Sequence, residues 1–406
     1  MTEPMSTMSA AGAEASVAPL ACSAVLTHHW LVRYRGGEKV LAALSELLPD
    51  APVYTLVHDA AGLGRPDADA TPSPPRWLTD STRVRTSWLQ HLPGARRHYP
   101  KLLPLMPLAA RSVRLPAADL VVCSDAAIAK AMTPNPRSRV VCYCHSPMRY
   151  VWEPQIAREY RQTLPPPLRP LWGPLAAYLR RADRRAAAHV HTFVANSQHV
   201  AERIRRHYAR DAAIVHPPID LPVAPGPARR EPFYLCVGHH VAYKRLDLAV
   251  AACRQLGRRL VVIGEGPDVE RLRPTAGGDV TFLGWQPDAV MYDHYRRARA
   301  LLFPGEEDFG IVPVEAMAHG CPVISYARGG ATETVTDGRT GVFFAEQSPA
   351  ALADAIRRLE TLTFDPAALH ADMQRFSRRR FLEQMRAVLA DALAAPGCCD
   401  ATPGGQ

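Results

Sequence analysis

Lysine is nearly absent from this chain. Of its 48 basic residues only Lys39, Lys101, Lys130 and Lys244 are lysines, so arginine carries the positive charge. Long apolar runs are missing too: none reaches the roughly 18 residues a membrane-spanning helix needs. The opening MTEPMSTMSAAGAEASVAPLACSAVL has no basic start of the secretory kind, which leads us to expect a cytoplasmic protein. The cysteines are odd in number, nine, and lie mostly inside apolar runs, which suits reduced thiols and argues against a disulfide framework. Zinc-ligand spacing, RNA-binding signatures and a helix-turn-helix pattern are all lacking, so nucleic acid is not an expected partner.

Acidic residues are missing from one stretch in particular. Residues 83–115 hold Arg83, Arg85, Arg96, Arg97, Lys101, Arg111 and Arg114 with no acid among them, interleaved with Trp88, Leu92, Tyr99, Leu105 and Leu108. A second basic stretch spans 149–185. Cations mixed with apolar and aromatic side chains suit an anionic membrane surface, at about 1 kcal/mol per well-placed cation, and predict peripheral membrane contact. The alternative is an ordinary solvated face. The charge is also uneven along the chain: residues 1–225 carry 27 basic against 17 acidic residues, a balance of +10, and 226–406 carry 21 against 22, a balance of −1, which together give +9.

At 406 residues with 47% hydrophobic content the chain can build two cores. Strand and helix patterns alternate twice. The first round runs AVLTH, GEKVLAALSELL, VYTLV, ADLVVCS, RVVCYCH and HTFVANS; the second runs FYLCVG, RLDLAVAACRQL, RLVVIG, VTFLG, ALLFP, PVISY and GVFF. Such alternation means parallel sheets, and the linker LPVAPGPARREP separates the rounds. The expected layout is a disordered segment 1–20, a domain 21–220, a linker 221–231, a domain 232–365, terminal helices 366–394 and a disordered tail 395–406.

Ligands of doubly wound sheets gather at the carboxyl ends of strands, and the candidate residues lie there. In FPGEEDFGIVPVEAMAHGCPVI, residues 303–324, Glu307 and Glu315 stand eight positions apart. Over a helix that spacing spans about 12 Å, whereas the paired carboxylates of a retaining glycoside hydrolase sit roughly 5 to 5.5 Å apart, so the two acids do not share one proton transfer. Phe309 and Gly310 lie in the turn that opens a helix expected over 312–319, where free amides suit a phosphate or a sugar hydroxyl. Lys244 follows Gly238, His239 and His240 and is a suitable point charge for a diphosphate. Gly264, Glu265 and Gly266 mimic a dinucleotide fingerprint, but Val269 stands where its third glycine belongs. Gly36 and Gly37 open a helix, either as anion-binding amides or as a tight turn. His145 ends a strand, and Asn196 and Ser197 are placed to cap the next helix. The only D-x-D, Asp67 to Asp69, follows no strand and supports no metal site.

The ordered set RGGEKVL, CYCHSPMRYVWE, VANSQHVAERI, HPPID, VAYKRLDL and PGEEDFGIVPVEA, spread over residues 25–393, resembles family 4 glycosyltransferases, and within them the mannosyltransferase-like branch of bacterial surface-polysaccharide synthesis. The resemblance implies the α/β GT-B fold, two doubly wound Rossmann-like domains facing a central cleft, with the last helix crossing back. It implies a retaining, metal-independent hexosyltransferase without cofactors. The donor is a sugar nucleotide, GDP-mannose foremost or a UDP-hexose, and the acceptor a polyprenyl-diphosphate-linked glycan. It sets Glu307 against the donor sugar, Glu315 against the ribose diol, Gly284 and Trp285 near the base, Gly36 and Gly37 toward the diphosphate or acceptor, and His145 as a catalytic residue in the cleft, with Arg149 and Trp152 on the acceptor side. It also sets a departure: an arginine is usual where His239 stands, so Arg245 or another group must substitute, or donor binding weakens. Epimerases and phosphorylases share this fold, and a non-catalytic assembly subunit or an NAD-dependent oxidoreductase are the remaining alternatives.

Overall fold

The computed structural model describes residues 17–63, 74–224 and 230–395. The apolar runs form two parallel sheets. The first holds β1 (Ala24–His28), β2 (Val53–Thr55), β3 (Val84–Thr86), β4 (Leu120–Asp125), β5 (Arg139–Cys144), β6 (Thr192–Ala195) and β7 (Ala212–Ile214), in the order β3-β2-β1-β4-β5-β6-β7. The second holds β8 (Phe233–Val237), β9 (Arg259–Ile263), β10 (Val280–Gly284), β11 (Ala300–Phe303), β12 (Val323–Tyr326) and β13 (Gly341–Phe344), in the order β10-β9-β8-β11-β12-β13. Strands β1, β4, β11 and β12 are buried along their whole length, as sheets covered on both faces require. This is the α/β pair of doubly wound domains expected from the two rounds of alternation.

The order of each sheet reverses at one point, between β1 and β4 in the first and between β8 and β11 in the second. Crevices open at the carboxyl ends of the strands flanking such a reversal. His28 and Ser124, paired across β1 and β4, end at the first; Gly238 and Pro304, which follow β8 and β11, end at the second.

The chain passes between the domains twice, side by side. The Ile219 N–H donates to the Phe376 carbonyl at 3.0 Å and the Arg378 N–H to the Ile219 carbonyl at 3.1 Å, while the Arg378 guanidinium pairs with Asp220 at 3.5 Å and with Glu46. The return comes later than the segment 366–394 implied. Helix Pro366–Met373 stays with the second domain, where Leu369 and Met373 share a core with Val314 and Met317. Only helix Arg378–Ala394 crosses, burying Phe381, Leu382, Met385 and Leu389 beside Leu41 and Leu44 of helix Gly36–Leu47, at roughly 1.5–3 kcal/mol per buried side chain.

Order also extends past the expected domain margins. Leu20 donates its N–H to the Leu47 carbonyl at 2.9 Å, Val17 packs on the first core, and the Arg386 Nε donates to the Ala18 carbonyl at 3.0 Å. At the other end the Ala395 carbonyl accepts from Arg139 at 2.5 Å. The rest of the expected disordered ends, the middle of the linker and the Asp67 to Asp69 pair lie outside the described residues.

A clasp of opposite charges closes the domains along one margin. Asp308 of the second domain pairs with Arg203 and, at 3.4 Å, with Arg149 of the first. Ser197 accepts the Val200 N–H at 3.1 Å, as a cap should, and donates to the Asp308 carbonyl at 2.5 Å. Glu333 adds a cap in trans: its carboxylate accepts from the amides of Gln198 at 2.8 Å and His199 at 3.2 Å, at the start of the first-domain helix Gln198–Tyr208.

Candidate active site

The interdomain cleft is lined from the first domain by Arg33, Tyr34, Arg35 and Leu63, and from the second by Gly238, His239, Gly264, Glu265, Trp285 and Asp288, and encloses about 260 Å³. Its second-domain floor requires glycine. A β-carbon on Gly264, whose φ is +111°, would sit 1.9 Å from the Gly238 carbonyl oxygen, and one on Gly305 would sit 2.7 Å from the Lys244 α-carbon. The loops after β8, β9 and β11 therefore lie in direct contact, and the turn Ala242–Lys244 is held over the β8–β11 reversal.

Lys244 and Glu307 meet at that reversal, Nζ to Oε1 at 2.9 Å. Burial opposes the charge on Lys244, but the Glu307 carboxylate together with Tyr243 more than offsets it and keeps the ammonium protonated. The Lys244 Nζ lies 3.2 Å from where a Gly238 β-carbon would be, so a ligand resting on the Gly238 backbone would touch the ammonium. His239 stands beside it on the cleft wall, half-buried, with its pKa lowered by burial and then by Arg35 and Lys244; it is a neutral ring near pH 7. Arg245 does not replace the usual arginine. Its guanidinium is turned onto Asp247, Nε to Oδ1 at 3.0 Å and Nη2 to Oδ2 at 2.9 Å. Across the cleft from His239 stand Arg33 and Arg35 instead, and neither guanidinium has an ion pair among the described residues.

Two helix N-termini meet at the same place. Helix Gly36–Leu47 begins where a Gly36 β-carbon would lie 2.7 Å from Cδ1 of Ile311, the first residue of helix Ile311–Ala318. Gly310 precedes that helix at φ +87°, a conformation glycine adopts without strain. Helix N-termini favour an anion, and in the first of these helices the Glu38 carboxylate already accepts from the Arg35 amide at 3.1 Å.

Glu315 faces a smaller recess lined by Lys39, Asp220, Tyr292 and Ile311. Burial pushes its pKa up to about 7, against the pull of Lys39. The folded protein thus holds Glu315 neutral at pH values where the unfolded chain has already ionised it, so stability falls as pH rises from about 4.5 to about 7. Glu315→Gln removes that loss. We expect the variant to melt above the parent at pH 8, with the gap narrowing toward pH 5; an equal gap at both values in thermal denaturation would contradict the assignment.

On the first-domain side, His145 follows β5. Its Nε2 lies 2.8 Å from the Ser124 Oγ, which lies 3.1 Å from the Nδ1 of the buried His28. Burial, then the neighbouring His28 and His29, lower the His145 pKa to about 3, so the ring is neutral throughout the physiological range. Gly37 packs against it, with its β-carbon position 3.8 Å from His145 Nε2.

Other candidates lie elsewhere. Phe309 turns away from the cleft: it is 3% exposed, with its ring 5.4 Å from that of His216 and 5.5 Å from that of Phe376, so only its backbone belongs to the helix-opening turn. Gly284 ends β10 at φ +69° and its carbonyl accepts from Gly264 at 2.7 Å; the neighbouring Trp285 forms the cleft wall. Trp152 is committed to the first domain, where its Nε1 donates to Asp183 at 2.7 Å. Sequence reasoning missed Arg33, Tyr34, Lys39, His28 and Ser124. The last two could have been found from their position at the ends of two strand patterns in one sheet; the first three depend on how the domains face each other. Among the described residues no three His, Cys, Asp or Glu side chains gather as a metal site would need.

Comparison with known proteins bears on the family and the fold. Residues 34–222 match the model described as Glycosyltransferase Family 4, and residues 221–380 that described as Glycosyl transferases group 1. A D-inositol 3-phosphate glycosyltransferase of Mycobacteroides abscessus is 35% identical over 193 residues, 41% of this chain and 43% of that protein. A GDP-mannose-dependent alpha-(1-6)-phosphatidylinositol monomannoside mannosyltransferase of Mycobacterium tuberculosis is 34% identical over 146 residues, 32% of this chain and 38% of that protein. Each match therefore spans less than half of the relative. The Anabaena protein HepE, solved with UDP-glucose, shares the fold with a TM-score of 0.63 at 17% identity, covering 91% of this chain and all of that one.

Proposed function

We propose, for a chain whose two halves belong to the Glycosyltransferase Family 4 and Glycosyl transferases group 1 families, that it is a retaining hexosyltransferase that moves mannose from GDP-mannose to a lipid-linked oligosaccharide. The observation that carries this reading is the convergence of the Lys244–Glu307 pair and two helix N-termini at facing reversal points of two doubly wound sheets.

In this reading the donor diphosphate rests over Gly238, held by Lys244 and by the amides near Gly36 and Gly310, without a metal ion. The neutral His239 contributes no charge, and Arg33 and Arg35 supply from the opposite domain the cations it does not. Preorganised cations and amides of this kind stabilise the charge that develops on the leaving group. The hexose then lies toward Glu307, with Glu315 at the ribose. The departing diphosphate takes the proton of the acceptor hydroxyl as the new bond forms on the same face of the sugar. His145 stands opposite and supports the reacting hexose.

The acceptor side carries a surface suited to a lipid. Basic segments 83–115 and 149–185 pack together, the Tyr160 hydroxyl donating to the Pro100 carbonyl at 2.9 Å. Within them Leu105 and Leu108 of the first and Leu168 and Leu171 of the second are 40–60% exposed. Exposed apolar side chains in arginine-rich segments favour an anionic bilayer surface, and among the described residues no helix is long and apolar enough to cross one.

The test is transfer of labelled sugar from a panel of GDP- and UDP-hexoses to a polyprenyl-diphosphate glycan. The expected result is incorporation from one donor that Glu307→Ala lowers at least about 100-fold, the scale of losing one preorganised transition-state contact. Equal transfer by parent and variant would contradict the site assignment.

A further inference from the structure

His28 and Ser124 are fully buried and do not line the cleft, yet they determine which atom His145 presents. The Ser124 hydroxyl bridges the two rings, 3.1 Å from His28 Nδ1 and 2.8 Å from His145 Nε2. It has one proton and can donate to only one of them. Its oxygen could accept from both rings, but its own proton would then have no acceptor, since the hydroxyl has no other hydrogen-bond partner among the described residues. The rings are therefore held in complementary states: if His28 donates to Ser124, Ser124 donates to His145, and the reverse direction inverts both.

The surroundings of His28 choose the direction. Its Nε2 is buried and makes no hydrogen bond, with the Glu38 Oε1 at 3.8 Å too far to accept one. A proton on Nε2 would be a buried orphan donor, which is rarer and costlier than an orphan acceptor. On the other side, Nδ1 has the Ser124 oxygen within reach. The proton belongs on Nδ1.

From this we propose that His28 and Ser124 are positioning residues that fix His145 in the Nδ1–H tautomer, so that it presents a hydrogen-bond donor to the ligand, an oxygen of the transferring hexose. His145 Nδ1 has no other hydrogen-bond partner among the described residues. The chain of bonds acts through Ser124 because the strand register brings β1 and β4 together at His28 and Ser124, and His145 follows β5 with its N–H on the Asp125 carbonyl at 2.8 Å. The role assigned to the donor rests on the transferase reading; the lock itself does not.

Nitrogen-15 NMR of the histidine rings in the full chain, with His145 assigned by its loss in His145→Gln, separates the two. The expected result is a neutral His145 protonated at Nδ1 near pH 7.5, converted to an Nε2–H or mixed state by Ser124→Ala and by His28→Ala, and retained in Ser124→Thr. Kinetics with the active donor should then show kcat lowered about 10- to 100-fold in Ser124→Ala with nucleoside diphosphate affinity unchanged, and restored by threonine. An Nε2–H tautomer in the parent, or one that Ser124→Ala leaves unaltered, overturns the lock. A tautomer that shifts as expected while kcat stays constant, or with no sugar nucleotide used, keeps the lock and overturns the role in transfer.

Discussion

Lys244→Ala is expected to weaken nucleoside diphosphate binding about 100-fold or more while leaving the affinity for the bare nucleoside unchanged. Two losses combine. A charge-assisted hydrogen bond is worth about 1.5–3 kcal/mol, and the ammonium that neutralises Glu307, 2.9 Å away in the folded protein, disappears with it. The uncompensated carboxylate then repels the incoming diphosphate. Glu307→Gln in the Lys244→Ala background should recover part of the affinity by removing that repulsion. Calorimetric titration of the single and double variants checks both statements, and equal phosphate and nucleoside losses would mean that Lys244 shapes the pocket without binding the anion.

The largest expected stability effect lies beneath the site. Lys130 is 3% exposed, with its ammonium 2.9 Å from Asp125 and 2.6 Å from Asp183, both buried. Burial opposes ionisation of Asp125, yet the Lys130 ammonium together with His29 and the Ala127 amide more than offsets it and holds that carboxyl well below the usual range. Asp125 also accepts the amides of Ala127 at 2.9 Å and Ala129 at 3.0 Å, and Asp183 takes the Trp152 and Tyr208 donors at 2.7 Å each. Lys130→Met keeps the apolar stem and removes the charge, leaving two buried carboxylates without their cation, which should cost about 3–5 kcal/mol. Urea denaturation reads this directly. A midpoint near that of the parent would mean that the carboxylates are neutral in the folded chain.

The lock at His145 depends on the same corner, because Asp125 follows Ser124 in β4 and fixes the strand end that presents the hydroxyl. A loosened Lys130 variant should therefore lose the His145 tautomer as well as stability, whereas Ser124→Ala loses the tautomer alone.

Much of this was legible in the sequence, for reasons that differ by element. Strand Ala300–Phe303 stands where the apolar run bounded by Pro304 and Gly305 put it, and both sheets follow from the alternation of two hydrophobic periods. Glu307, Lys244 and Gly310 could be found because breakers after strands mark the ends at which ligands gather. Phe309 could not be resolved: one turn holds both a backbone open to the crevice and a ring that fills the core between His216 and Phe376. The cations facing His239 were equally hidden, because Arg33 and Arg35 line the cleft from the other domain, some 200 residues away in the chain. Local pattern carries no information about how two domains face each other, and the late return at Arg378 is of the same kind, set by which core accepts Leu369 and Met373.

The central claim is that this cleft grips a pyrophosphate between two lobes. Calorimetric titration of the parent protein with GDP and with UDP tests it most directly. One of the two should bind saturably with one molecule per chain, more tightly than its nucleoside, and lose that advantage in Lys244→Ala. Absence of binding by either nucleotide, or binding that Lys244→Ala leaves intact, would contradict it.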